Sequence, residues 1–121
     1  MQDDRSIPFV HIDDTRLAFS ASADRLIDSP RLLVAKSADR VIFRPTRTSH
    51  GFKVSRYKSC PSRAYIASRL LSQYVGLRFK AYYRLFPCEG GFYIKRYEPL
   101  EGAEMSNLNN QTKLIPKKEY P

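Results

Sequence analysis

The sequence is poor in the residues that usually build metal and redox sites. Its 121 residues include two cysteines, two histidines, five glycines and no tryptophan. Cys60 and Cys88 form no Cys-x-x-Cys pair, and both histidines lie far from them along the chain, which argues against a zinc site. Two cysteines can form one disulfide at most, and in a reducing compartment we expect both to remain small thiols.

Long apolar runs are also absent from the sequence, which argues against a membrane-spanning helix. The first residues, MQDDRSIPF, begin with acidic side chains and lack the apolar core of a secretory signal. We therefore expect a cytoplasmic protein with no membrane partner.

Catalytic signatures are missing as well. The chain contains no phosphate-binding glycine loop, no nucleophile elbow and no HExxH motif. His11, Asp13 and Asp14 form the densest cluster of acid–base groups, but a metal site needs carboxylates that converge from distant segments. We interpret these aspartates as a solvated turn. The prediction is a protein that is not an enzyme, with no catalytic residues, no metal site and no cofactor.

Acidic residues are missing from one long stretch of the chain. Between residues 55 and 86 there is no aspartate or glutamate, while five tyrosines lie among seven basic residues. Residues 44–97 carry a net charge of +11, whereas the segments before and after them carry −1 each. Charge of one sign concentrated in one part of a chain indicates a surface patch for a polyanion. The alternative is that the cations point outward on different faces and only keep the protein soluble.

Short apolar or alternating runs predict strands in the first part of the chain. Residues 7–12 and 16–20 indicate one hairpin, and residues 31–36 and 40–45 indicate a second. Between the two hairpins, Ser20 or Ser22 caps a short predicted helix.

The second part shows a similar pattern with longer elements. Ser62 is predicted to cap a helix over residues 62–75, and Gly76 is predicted to end it. The helical spacing predicts a core face made of Ala67, Leu70, Leu71 and Tyr74. The predicted strands are residues 52–58, 77–86 and 91–98.

These elements predict an α+β fold, a small and mostly antiparallel β domain made of two β-α-β-β units. The units span residues 16–45 and 52–97 and share a pattern of elements more than residue identities. Because two such units can bury their open sheet faces against each other, residues 1–98 are predicted to form one compact domain. Residues 99–121 are mostly polar and are predicted to be a mobile tail.

The stretch DDTRLAFSASADRLID followed by RLLVAKSADRVIFRP resembles the AbrB-like (SpoVT/AbrB) swapped-hairpin family, in which a hairpin leads into a short helix and a second hairpin. The tandem arrangement from Asp13 to Tyr97 is similar to MraZ-type proteins, which carry two such units. The sequence also resembles small proteins carried in prophages. The family resemblance implies a transcriptional regulator that contacts DNA through strands and loops, and it carries over only Arg16 as a basic contact. A homodimer is also compatible with the sequence.

The clearest local signal is the alternation from Leu77 to Phe86. Arg78, Lys80, Tyr82 and Arg84 fall on one face of this predicted strand. Several cations on one surface neutralise phosphates, and tyrosines beside them can stack on exposed bases. We predict that nucleic acid, with DNA favoured, is bound by Arg16, Arg56, Lys58, Arg63, Arg69, Arg78, Lys80, Tyr82, Arg84 and Lys95.

A second interpretation assigns the basic face to a protein partner. A phage-encoded inhibitor of a host defence nuclease, similar in kind to anti-CRISPR proteins, would dock this face on an acidic protein or nucleoprotein surface. The small size of the chain and its polar C-terminal part suit such an inhibitor. A stoichiometric protein partner that is retained after nuclease treatment would favour this interpretation.

Overall fold

The computed structural model describes residues 7–101, which form ten strands, one α-helix and one 3-10 helix. The first half contains β1 (Phe9–Ile12), β2 (Arg16–Phe19), the 3-10 helix (Ala21–Leu26), β3 (Arg31–Lys36) and β4 (Arg40–Thr46). The second half contains β5 (Phe52–Lys53), β6 (Ser55–Tyr57), β7 (Cys60–Ala67), α1 (Arg69–Val75), β8 (Ala81–Arg84), β9 (Phe86–Cys88) and β10 (Gly91–Lys95). The predicted mostly antiparallel β architecture is confirmed.

The strands form two antiparallel sheets of five strands each, in the orders β6-β7-β2-β1-β8 (sheet A) and β5-β3-β4-β10-β9 (sheet B). Two stretches of chain contribute to both sheets, because β5 continues into β6 through Val54 and β8 continues into β9 through Leu85. At these corners the backbone N–H of Val54 donates to the Pro30 carbonyl and that of Leu85 to the Pro8 carbonyl, both at 2.9 Å. The two sheets therefore close around the core like a flattened barrel.

The core lies between the inner faces of the two sheets. The rings of Phe43 and Phe92 stack with their centroids 5.1 Å apart, and Phe19 meets the Phe43 ring edge-on at 5.9 Å. Leu17 and Ile94 are fully buried beside them. Because inward and outward side chains alternate along each strand, this packing fixes which side chains face solvent.

The two hairpins of the first half form as predicted, since β1 pairs with β2 and β3 pairs with β4. The predicted helix over residues 62–75 is wrong in its first half. In β7, Ala64 and Ile66 are buried whereas Arg63 and Tyr65 are partly exposed, which is the period-two burial of a strand. Pairing with both β6 and β2 stabilises this strand. The second half therefore runs hairpin, helix, hairpin, an order also found from β1 to β4.

Helix α1 begins after Ser68, whose hydroxyl accepts a hydrogen bond from the Leu71 backbone N–H at 3.1 Å. It ends at Gly76, as predicted, with that residue in the left-handed conformation at φ 65°. The predicted core face is only partly correct. Leu71 is buried, but Leu70 is 78% exposed and Tyr74 is 46% exposed. A helix of seven residues offers one short stripe to the core, and Leu71 and Val75 occupy it.

The predicted strand over residues 77–86 is also wrong at its start. Lys80 has a positive φ of 61°, and the register of β8 with β1 begins only at Ala81. The backbone N–H of Arg78 donates to the Tyr83 hydroxyl at 3.1 Å, so the segment before Ala81 is part of a turn. Arg78 and Lys80 therefore do not belong to the strand face that carries Tyr82 and Arg84.

Of the predicted tail, residues 99–101 are described by the structure. Leu100 is 5% exposed, packs against Phe9 and Tyr82, and donates its backbone N–H to the Tyr82 carbonyl at 2.8 Å. Residues 1–6 and 102–121 lie outside the described residues. Within residues 7–101, no helix has the length and apolar character needed to cross a membrane.

Candidate nucleic-acid interface

Most of the exposed charged side chains of sheet B lie on its outer side, which faces away from the core. The inward positions of β4 and β10 are apolar, so the residues between them point to solvent. Register brings Arg40 opposite Lys95, and Leu33 opposite Arg44. At the far side of the sheet, Lys53 pairs with Arg31. We call this surface the basic face, and it consists of Arg31, Arg40, Arg44, Lys53 and Lys95.

Two aromatic rings support the cations at one end of the basic face. Phe86 and Tyr93 lie opposite each other on β9 and β10, and their rings stack with centroids 5.3 Å apart. The Arg40 guanidinium lies 4.2 Å from the Tyr93 centroid, and the Lys95 ammonium lies 4.7 Å from the Phe86 centroid. Arg84, at the corner between β8 and β9, lies 5.1 Å from the Phe86 centroid. Such contacts hold the cations in place without neutralising their charge.

The electrostatics of the basic face are one-sided. Its five strands contain no acidic residue. Within residues 7–101, the side chains of Arg40, Arg44 and Lys53 form no hydrogen bond or ion pair with the protein, while Arg31 donates to the Gly51 carbonyl at 3.0 Å. Among the described residues, the one acidic contact of the basic face is Glu98, whose carboxylate oxygen lies 4.0 Å from the Lys95 Nζ atom. Within the described part of the chain, Arg40, Arg44 and Lys53 therefore have no acidic partner that competes with a bound anion.

The outer side of sheet A is built differently. Arg16 donates from Nη1 to the Tyr57 hydroxyl at 3.2 Å, and its guanidinium lies 4.8 Å from the Tyr65 centroid. The rings of Tyr57 and Tyr65 are themselves in contact, with centroids 4.6 Å apart. At the opposite edge of the sheet, His11 packs against the Tyr82 ring at 4.6 Å. The polar groups of this face are therefore largely used in contacts within the protein.

Two titratable groups on this side of the molecule are perturbed. Burial lowers the pKa of His11, and the nearby Asp13 carboxylate acts in the opposite direction with a smaller effect. The pKa of Asp13 is itself lowered, chiefly by a hydrogen bond from the Asp14 backbone N–H, at 2.8 Å. His11 is therefore a neutral imidazole near pH 7 and does not add to the positive charge.

The predicted contact residues do not converge on one wall. Arg84 and Lys95 meet at the Phe86 ring on sheet B. Arg16, Arg63 and Tyr82 lie on sheet A instead, on strands whose register places them along its outer side. Sequence alternation along a single strand could not foresee this division, because neighbouring stretches of chain enter different sheets.

The remaining predicted residues lie in turns or at element ends. Arg78 and Lys80 precede β8, Lys58 follows β6 and Arg69 begins α1. Arg56 is held within the fold, since its guanidinium pairs with Asp24 and donates to the Ile27 carbonyl at 2.7 Å. It attaches β6 to the segment around the 3-10 helix, which is a structural contact.

Arg40, Arg44 and Phe86 were not identified from the sequence. The signal that could have found the two arginines is the alternation in RVIFR, which places both on the side opposite Val41 and Phe43. The near-neutral total charge of the first 43 residues concealed Arg40. In the sequence Phe86 is only the last residue of the predicted strand over residues 77–86, whereas in the structure the chain passes into sheet B and the Phe86 ring lies on its outer side against Tyr93.

The potential metal ligands of residues 7–101 do not cluster. These residues contain no group of three or more His, Cys, Asp or Glu side chains that could hold a metal ion. Cys60 is partly exposed, Cys88 is exposed, and both are free thiols.

No family model matches this chain, and neither a curated protein nor a solved structure is significantly similar to it.

Proposed function

We propose that this protein is a nucleic-acid-binding module that contacts phosphates through the basic face of sheet B. The observation that supports this proposal is the row of Arg40, Arg44 and Lys95 on strands without acidic residues, with two of the three cations resting on aromatic rings. Each phosphate that such a cation neutralises releases counterions, and this release drives binding without requiring a particular base sequence.

The arginines give the basic face a specific way to hold a phosphate. A guanidinium donates two parallel hydrogen bonds to two phosphate oxygens, or to the two acceptors on the edge of guanine. Arg40 keeps its donors free because its contact with Tyr93 uses the ring face and not a hydrogen bond. A sheet face with outward arginines therefore suits a nucleic-acid backbone that lies across the strands.

We further propose duplex DNA as the ligand and transcriptional regulation as the role. This step rests on the resemblance that the sequence of the first half suggests to swapped-hairpin regulators, in which strands and loops contact DNA. Arg40 and Arg44, which share the outer side of β4 with Ile42 between them, and Lys95 opposite Arg40 would contact separate phosphates.

A charge-removal experiment tests the proposal. The triple variant Arg40→Gln, Arg44→Gln and Lys95→Gln should bind duplex DNA at least tenfold more weakly and lower the slope of log affinity against log salt by about 3. The matched control removes three exposed cations elsewhere, through Arg25→Gln, Lys58→Gln and Arg69→Gln. Gel shifts over a salt series measure both variants. Equal losses in the two variants, or no loss in the first, would contradict an interface on the basic face.

A second candidate function is supported by the exposed apolar side chains of α1. Leu70 and Tyr74 are one helical turn apart, and both are more than two-fifths exposed. Exposed apolar groups beside cations are typical of a protein-docking surface, which would suit an inhibitor of a defence nuclease. If α1 is the docking surface, Leu70→Ser should abolish binding of a stoichiometric protein partner that the wild-type protein retains after nuclease treatment. The triple variant of the basic face should still bind that partner.

A further inference from the structure

An open cleft of about 370 Å³ lies where the end of α1 meets the end of β10. It is separate from the basic face and is lined chiefly by Gly76, Arg78, Tyr83, Arg96 and Tyr97. Arg78 precedes β8 and Arg96 follows β10, and the fold brings both side chains to the cleft. None of the residues that line the cleft is acidic.

Hydrogen-bond donors are in excess in this cleft. Arg96 donates from Nη1 to the carbonyls of Ser37 and Ala38, at 2.6 and 3.2 Å, and these bonds fix its guanidinium. Its Nε–H is buried and has no acceptor within residues 7–101. The Tyr83 hydroxyl accepts the Arg78 backbone N–H, so its own proton is available to an incoming acceptor. A buried donor without an acceptor is costly. The Tyr83 hydroxyl and the Arg78 side chain are the donors in the lining that a bound anion would meet, and the Arg96 guanidinium adds positive charge beside them.

The chain itself places an anion at the rim of the cleft. A carboxylate oxygen of Glu101 accepts a hydrogen bond from Arg78 Nη2 at 2.9 Å. Both side chains are more than half exposed, so this ion pair adds little stability and is easily displaced. Glu101 therefore stands in the position that an anionic ligand would take on Arg78.

An aromatic ring beside the donors narrows the class of ligand. Tyr97 lines the same cleft, is 74% exposed, and has its ring centroid 5.5 Å from the Arg96 guanidinium. A planar group on the ligand can stack on this ring while the anion reaches the two arginines. We infer that the cleft binds a phosphomonoester, with its phosphate on Arg78 and Arg96 and its planar base on Tyr97. The phosphate belongs either to a free nucleotide or to the end of a nucleic-acid strand.

Titration with adenosine monophosphate and with inorganic phosphate, followed by NMR chemical shifts, tests the site. Arg78→Gln should weaken binding of the nucleotide about tenfold, the loss expected for one charge-assisted hydrogen bond. Glu101→Gln should strengthen it, because it removes the competing carboxylate. Arg69→Gln is the matched control, since it removes one exposed arginine outside the cleft. The site is refuted if Arg78→Gln and Glu101→Gln both bind the nucleotide with wild-type affinity.

Two further arms identify the source of the phosphate and separate this site from the basic face. If strand ends are the ligand, an oligonucleotide with a terminal phosphate should bind more tightly than the same oligonucleotide with a terminal hydroxyl. If free nucleotides are the ligand, the two oligonucleotides should bind equally and the nucleotide should still bind. The triple variant of the basic face should keep its affinity for the nucleotide, whereas Arg78→Gln should keep its affinity for duplex DNA. Loss of nucleotide binding in the basic-face variant would show that the phosphate binds on the basic face and not in the cleft, and it would overturn the inference.

Discussion

The outer faces of sheets A and B have similar ingredients and different chemistry. Both combine arginines with tyrosine or phenylalanine on strands that contain no acidic residue. On sheet A, the donors of Arg16 are directed to a tyrosine hydroxyl, and Leu100 covers the ring of Tyr82. On sheet B, Arg40 and Lys95 rest on ring faces and keep their donors available. Composition alone therefore does not make an interface, because the partners of each cation decide whether it can bind a ligand.

The largest expected effect is on stability and comes from a substitution in the core that the two sheets share, because unfolding would remove both outer faces. Phe43 is fully buried and its ring stacks on Phe92 between the two sheets. Phe43→Ala should lower the free energy of unfolding by about 3–5 kcal/mol, since it deletes a buried ring and leaves a cavity. Urea denaturation followed by circular dichroism measures the loss. A change below about 1 kcal/mol would mean that the sheets do not share this core.

A smaller loss should follow from a substitution confined to sheet B. A Cβ atom on Gly91 would overlap the backbone carbonyl of Phe43 on the paired strand. Gly91→Ala should therefore destabilise the protein by about 1–3 kcal/mol, because the two backbones must move apart. Chemical denaturation gives the stability. Among variants that remain folded, reduced DNA binding would show that the spacing of β4 and β10 matters to the basic face.

The comparison of the two faces predicts unequal effects on nucleic-acid affinity. Arg16→Gln combined with Arg63→Gln removes two cations from sheet A, and it should weaken duplex DNA binding by less than about threefold. The corresponding pair on sheet B, Arg40→Gln with Lys95→Gln, should weaken it by about tenfold or more. Gel shifts at one fixed salt concentration compare them. The reverse order of effects would place the interface on sheet A.

Arg56 should affect stability and leave binding unchanged. Its side chain is about one-third exposed, and its guanidinium connects β6 with Asp24 and the Ile27 carbonyl. Arg56→Met keeps much of the side-chain volume but removes these contacts, so we expect a loss of about 1 kcal/mol. Thermal unfolding and gel shifts on the same sample separate the two properties. A large loss of DNA affinity without a loss of stability would show that Arg56 contacts DNA.

The smallest effect concerns the pH dependence of sheet A. Because burial lowers the pKa of His11 in the folded state, the unfolded chain takes up the proton first as the pH falls below the ordinary value of 6.5. The contribution of His11 to stability is fully present above that value and should decline as the pH approaches the folded-state pKa. Unfolding measured at a series of pH values should show this decline, and His11→Gln should flatten it. An unchanged slope in that variant would assign the pH dependence to other groups.

Part of the fold could be predicted from local patterns. The hairpins β1–β2 and β3–β4 follow from short apolar runs around polar turns, and Gly76 ends a helix because glycine adopts the left-handed conformation at little cost. The sequence predicts helix for residues 62–67 because their apolar residues also fit helical spacing with Leu70 and Leu71. Its strand conformation depends on pairing with β2 and β6, which are distant along the chain.

The sequence by itself determined the mostly antiparallel β character, the excess of positive charge and its concentration after residue 43, because these depend on composition and short-range alternation. Only the tertiary structure decided where that charge lies. The passage of two strands from one sheet to the other at Val54 and Leu85 sends neighbouring cations to opposite sides of the barrel. The pairing of β4 with β10 brings Arg40 of the first half beside Lys95 of the second half. No local sequence pattern encodes this contact, because the two strands are distant along the chain.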